Sequence, residues 1–217
     1  MKKSQFSIST FILQLAIVAA MIITGLLIYN QLPDMMPTHW NIQGEVDEWT
    51  NKTTWVWLFP AITLVLTLLF PILSRIDPRK EKYTLFRRPW LILQMGFVVF
   101  FAYLYFVTMY LALYPGIPVT PFVFGGIGVL FVLIGNYLGK VRQNYFVGIK
   151  TPWTLHNEEV WNKTQRVGGW TFLLMGLVIF AEAFVRWQEA WVIGIATGIA
   201  ILVPVIYSYL VYKKIGK

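Results

Sequence analysis

Two histidines, His39 and His156, ten carboxylates and no cysteine make up most of what this chain offers for binding a metal or moving a proton. Without thiolates, a zinc site would need carboxylates and at most one histidine, because the two histidines stand in separate polar segments; that donor set is uncommon. No HExxH, GxSxG or glycine-rich phosphate loop occurs. Glu182 lies inside an apolar run, where an ionisable group marks an ion or proton path by default. Pairing with Arg186 one helical turn on explains it equally well. Asn136, the other polar outlier, suits helix-to-helix hydrogen bonding. Neither a catalytic residue nor a metal or cofactor is therefore expected, and the chemistry to look for is binding.

Binding chemistry concentrates in two segments. "LPDMMPTHWNIQGEVDEWTNKTT" places His39, Trp40, Asn41, Glu45, Asp47, Glu48 and Trp49 within a few residues of each other, an acidic and aromatic set. "NYFVGIKTPWTLHNEEVWNKTQRVGG", from Asn144 to Gly169, is basic and aromatic instead.

The elements that carry these segments follow from composition. Of the 217 residues, 57% are hydrophobic and 13% charged, and the mean hydropathy is +0.61; this is a membrane chain. A hydrocarbon core about 30 Å thick takes roughly 20 helical residues. Six runs suffice: Phe11 to Tyr29, Thr54 to Leu73, Trp90 to Tyr114, Phe122 to Leu138, Trp170 to Val185, and Trp191 to Tyr212. The net charge of +8 does not point to nucleic acid, because the basic residues gather at alternate span ends. All but Lys52 and Arg186 fall before the first span, in the second and fourth connections, or after the last span. Asp34, Glu45, Asp47 and Glu48 crowd the first connection. The positive-inside rule then puts both termini in the cytoplasm, the first connection outside, and the fourth inside. Lys2 and Lys3 could open a signal peptide, but the following run is span-length and lacks a small-residue cleavage site, so an uncleaved first span is expected.

The expected fold is all-α: a polytopic membrane protein with a three-span half over residues 1–114 and a second over 115–217. Over most of its length the first connection shows neither helical nor strand periodicity and reads as a loop containing Pro33, Pro37 and Gly44. Its acids suit either a bound cation or a solvated outer surface. In the fourth connection, Pro152 keeps Thr151 out of the helical region. A short interfacial helix should begin just after it, capped by Thr154 or Asn157, with Val160, Trp161, Thr164 and Val167 on one side, and should end at Gly168 and Gly169. Gly135 with Gly139, and Ala190, Gly194 and Gly198, are spaced to admit a neighbouring backbone.

Both segments resemble signatures of a known family. "LPDMMPTHWNIQGEVDEW" resembles an uncharacterised domain in the first half of SdpI-type proteins, and "NYFVGIKTPWTLHNEEVWNKTQRVGG" is similar to the SdpI C-terminal domain. With the six-span organisation, the resemblance to the SdpI family covers nearly the whole chain. It implies a multi-pass protein of the bacterial cytoplasmic membrane that confers immunity to an SdpC-like secreted peptide toxin. It also implies a signalling role, in which toxin engagement holds an SdpR-like repressor at the membrane. Carried over by position, the outer motif falls on Thr38, His39, Trp40, Asn41, Gly44, Glu45, Asp47 and Trp49. The inner motif falls on Asn144, Gly148, Lys150, Thr151, Pro152, Trp153, Thr154, Trp161 and Thr164. Lys150 stands where the family pattern has arginine, and Gln165 where histidine is common. Other readings stay open: a transporter for ions or small molecules, a membrane protein of the same family with no toxin partner, and motifs that only tie helices together, with Trp153 and Trp161 packed under the bundle and Thr151 and Thr154 satisfying backbone ends.

Overall fold

A computed structural model describes residues 7–41, 45–185 and 190–215. Gly44, Arg186, Trp187 and the basic residues Lys2, Lys3 and Lys217 lie outside these. Seven α-helices and one β-hairpin account for most of the described chain. Helix α1 (Ile8–Leu27) leads through a single 3-10 turn to strands β1 (Met35–Trp40) and β2 (Val46–Asn51), and α2 (Lys52–Ile76) follows at once. A longer 3-10 segment, Lys80–Phe86, enters α3 (Arg87–Leu113). Then come α4 (Thr120–Leu138), a single-turn helix α5 (Pro152–His156), α6 (Glu158–Val185) and α7 (Ala190–Ile215). Six helices are long and apolar enough to cross a membrane. Their outward faces carry exposed Leu27, Ile76, Leu174, Phe184 and Leu210, the surface that hydrocarbon chains cover. The protein is multi-pass and all-α apart from the hairpin.

Two differences from the sequence expectations concern the polar segments. The first connection is not an irregular loop: β1 and β2 pair antiparallel, Met35 opposite Asn51 and Trp40 opposite Val46, with register shifts on either side of His39. Nor do Gly168 and Gly169 end a helix. Helix α6 runs through both, so Val160, Trp161, Thr164 and Val167 belong to the first turns of span five, and the separate helix is the shorter α5. The glycines serve packing: a Cβ on Gly168 would strike Ile149, and one on Gly169 would lie 2.8 Å from the Gly135 carbonyl oxygen.

That last contact belongs to the closest helix pair of the molecule. Helices α4 and α6 meet backbone to backbone, since a Cβ on Gly135 would collide with the Leu173 amide and one on Gly176 would sit 2.8 Å from the Gly128 carbonyl oxygen. Small residues allow this approach, and dispersion between the touching backbones holds it. Gly194 and Gly198 on α7 behave differently: nothing lies within 4 Å of a Cβ built on either.

Three buried clusters organise the bundle. One joins α1, α2, α3 and the hairpin, with Trp55 stacked on Tyr105 at 4.8 Å between ring centroids and Met36 of β1 buried against them. Another joins α4, α6 and α7 around Met175, Ile179 and Ala200. The third binds the two sets at one end, where Tyr83, Phe86 and Trp90 meet Val141 and Trp161.

Candidate functional site

The two polar segments occupy opposite ends of the bundle and are built on different principles. At one end, α1, α2 and the hairpin are tied through Lys52. Its Nζ donates to the Leu32 carbonyl at 3.3 Å and pairs with Asp34 at 2.9 Å. Asn51 caps α2 by accepting from the Thr53 amide. Met36 and Leu32 anchor the hairpin in the α1–α3 core. Away from this footing the strands hold themselves together. His39 Nδ1 and Asp47 Oδ1 are 2.6 Å apart across the hairpin, and Asn41 exchanges three hydrogen bonds with Glu45, two of them through its side chain.

Those bonds leave a surface. His39, Glu45, Asp47 and Glu48 are all exposed, as is Trp49, with 54% of its surface in contact with solvent or lipid. Trp40 is half-buried, and its indole N–H is enclosed with no hydrogen-bond partner among the described residues. The seven residues named from the sequence therefore divide into two bonded pairs, His39–Asp47 and Asn41–Glu45, one inward-turned indole, and two exposed side chains, Glu48 and Trp49, without bonds among the described residues. The result is a stiffened acidic rim carrying a projecting aromatic ring.

At the other end the chain between α4 and α6 is tied into a knot. Asn144, fully buried, accepts from the Phe146 and Val147 amides at 2.9 and 2.7 Å and donates to the Arg142 and Val147 carbonyls, so one side chain shapes a four-residue turn. Asp77, at the end of α2, receives the Arg79 amide, the Tyr145 amide and the Tyr83 hydroxyl, which locks the second connection to the fourth. Arg79 lies over the Tyr145 ring and donates to the Leu155 carbonyl. Gln143 donates to the Thr154 and Leu155 carbonyls, and Lys82 pairs with Glu158 at 2.6 Å.

Thr151 caps α5 in a capping box with Thr154, the partner it reaches in both directions. Its hydroxyl also meets Ser208 of α7 at 3.1 Å, while Trp153 packs on Tyr209 and His156 on Tyr212. Of the two expected caps, Thr154 stands inside α5 and Asn157 accepts from the Glu159 and Val160 amides and so starts α6.

Gly148 explains the glycine at its position. Its φ is +118°, and a Cβ there would lie 2.9 Å from both the Trp161 ring and Gln165 Oε1. Trp161 itself is buried and donates to the Val141 carbonyl at 2.9 Å. Gln165 grips one residue twice: its Oε1 receives the Ile149 amide and its Nε2 donates to the Ile149 carbonyl, each at 2.9 Å. An imidazole cannot reach the N–H and the C=O of one residue together in this way, so glutamine at this position has a local reason. Lys150 is exposed and directs its ammonium to the Tyr145 and Phe146 carbonyls. Three point donors suit that task, and no planar fork is required.

Of the inner-motif residues, Asn144, Thr151, Thr154, Trp161 and Thr164 are buried, Gly148 and Trp153 half-buried, and only Lys150 and Pro152 exposed. Sequence reasoning missed Asp77, Tyr83 and Gln143, and singled out Gln165 without its role; these four complete the knot. Glu182 is buried in α6. No group of three or more metal-ligating side chains occurs among the described residues.

Comparison with known proteins agrees with both segments. Residues 140–208 match the SdpI/YfhL protein family, and residues 16–64 match a domain of unknown function, DUF1648. The first covers the knot, all of α6 and much of α7; the second covers the later part of α1, the hairpin and the first half of α2. Immunity protein SdpI of Bacillus subtilis (strain 168) is 24% identical over 206 residues, which span 94% of this chain and 97% of that protein. No solved structure matches.

Proposed function

Because this chain belongs to the SdpI family, we propose that it is an immunity protein of the bacterial cytoplasmic membrane, guarding its cell against a secreted, SdpC-like peptide toxin by binding and without catalysis. The observation that carries this reading is the alignment with a named immunity protein across nearly the full length of both chains, hairpin and knot included. Physical chemistry assigns the ends. The basic residues of the second and fourth connections stand at the end opposite the acidic hairpin, so the positive-inside rule turns the hairpin outward, where a secreted peptide arrives.

On this reading the acidic rim of Glu45, Asp47 and Glu48 attracts a cationic toxin, and Trp49 supplies an apolar anchor. The exposed parts of the knot, Lys150, Pro152, His156 and Glu158, face the cytoplasm and form the surface an SdpR-like repressor would meet. Transmission between the ends requires two packings of the helices that differ in toxin affinity.

The test is expression in a toxin-sensitive strain, with survival measured at matched membrane abundance. Restored survival supports the reading; a correctly inserted protein that gives no protection overturns it. The chain has no native cysteine, so Asp47→Cys and Glu158→Cys each introduce a unique label. An impermeant reagent should modify the first in intact cells and the second only after lysis, and the reverse pattern would exchange the two roles.

A further inference from the structure

The close approach of α4 and α6 leaves a notch at the basic end of the bundle. Beside the contact at Gly135, Gly139 and Gly169, where the helices touch, lies a cavity of about 230 Å³, open to the side. Its walls are two ridges at helical spacing: Asn136 and Lys140 on α4 and just past its end, and Arg166 and Trp170 on α6. Leu173 continues the wall toward the membrane centre.

Three observations identify what would fill it. First, the charge is uncompensated. Lys140 lies over the Tyr137 ring at 4.5 Å, and neither it nor Arg166 has a carboxylate partner among the described residues. The nearby acids at the start of α6 are committed elsewhere, Glu158 to Lys82 and Glu159 to Lys163. Second, the notch straddles the boundary between water and hydrocarbon. Trp170 is 64% exposed at its edge, where amphipathic rings settle at headgroup level, and beyond it α6 presents exposed Leu174 and Leu177. Third, polar and apolar walls are stacked along the helix axes, cations and the Asn136 amide toward the basic end and Leu173 on the inner side. A ligand that fits needs an anionic head and an apolar body in continuous connection.

We propose that this notch binds an anionic glycerophospholipid of the adjacent leaflet, its phosphate between Lys140 and Arg166 and one acyl chain descending past Leu173. Basic pockets between transmembrane helices take such headgroups. The site depends only on the six-span placement and not on the immunity reading. Lipid bound here braces α4 against α6 immediately beside the knot, since Gln165, which clamps Ile149, precedes Arg166 on α6.

The full chain, purified in detergent with equimolar phosphatidylglycerol and phosphatidylcholine, should retain phosphatidylglycerol preferentially in native mass spectrometry. The double variant Lys140→Gln/Arg166→Gln should lose that preference by about tenfold or more, given the attraction each surface cation exerts on an anionic lipid. Gly139→Leu should lose it too, by filling the notch without changing charge. The pair Lys213→Gln/Lys214→Gln, on α7 at the same end, should keep it. Equal retention by wild type and double variant overturns the proposal, as does an equal loss in the α7 variant, which would show diffuse attraction without a site. Displacement by inorganic phosphate alone would make it a phosphate site, and displacement by an acidic peptide at lower concentration than lipid would make it a protein-docking site; either result also overturns it. Circular dichroism of each variant confirms that the helices remain.

Discussion

The hairpin and the knot are segments of similar length at opposite ends of one bundle, yet they handle their polar groups in opposite ways. In the knot, side chains are spent on the backbone: Asn144, Gln143, Asp77 and Gln165 each satisfy two or more partners, and several are fully buried. In the hairpin, the backbone satisfies itself through strand pairing, and side chains bond to each other at the surface. Buried polar networks are costly when incomplete, so the knot has little freedom to vary its residues without losing the fold. Strand pairing places no such demand on the hairpin's outward side chains, which are free to meet another molecule. Substitutions should therefore separate stability from recognition: large stability losses in the knot, small ones in the hairpin.

The largest loss is expected at Gly148. A valine there must adopt a positive φ and also enter the space of Trp161 and Gln165. Strain and overpacking together should cost about 3 kcal/mol or more, enough to remove the folded protein from the membrane at growth temperature. Thermal unfolding in detergent checks this; a melting temperature near that of the unmodified protein would mean that the knot is far more yielding than its bonds imply.

Gln165→Leu should come next. It keeps the volume but leaves the Ile149 amide without a partner and its carbonyl with the Thr154 hydroxyl alone, a cost of about 2–3 kcal/mol. Gln165→His should lie between leucine and the parent, because imidazole can satisfy one of the two groups. If histidine matches glutamine, the two-point grip contributes nothing and the departure from the family pattern is neutral. Asp77→Asn is expected to cost less, about 1–2 kcal/mol, since the amide oxygen still accepts while one of the donors converging on the carboxylate loses its partner.

These positions also show what could be read before the fold was seen. The six spans were legible because a bilayer imposes length and hydropathy on each independently. The grouping of the second and fourth connections at one end was legible from their charge. The hairpin was not: β1 is short, contains Pro37, and has register shifts flanking His39, so its exposures do not alternate and strand periodicity is lost. Gly168 and Gly169 misled for another reason. Glycine pairs end helices in water, but a span must keep its backbone bonded internally, and here both glycines fit against a neighbour instead. Asp77 escaped notice, and the role of Gln165 could not be read, because their meaning lies in distant partners, 68 residues away for the Asp77 bond to Tyr145. What remained readable in the knot was local: the Thr151–Pro152 start and the Asn157 cap.

The smallest change in stability, and the sharpest test of the contrast, is expected at the hairpin. Trp49 is more than half exposed and Asp47, among the described residues, bonds through its side chain to the exposed His39 ring alone, so Trp49→Ala and Asp47→Asn should each shift unfolding by no more than about 0.5 kcal/mol. Under toxin the order should invert. Trp49→Ala removes the projecting apolar anchor and Asp47→Asn one charge of the rim, so survival at matched abundance should fall for both, further for tryptophan, because desolvated aromatic anchors outweigh rim charges at interfaces. Raising ionic strength should weaken protection by the parent and leave that of Asp47→Asn less affected, since part of the screened attraction is already gone. If both variants protect as well as the parent while Gln165→Leu does not, recognition lies with the knot or the spans, and the division of labour between the two ends fails.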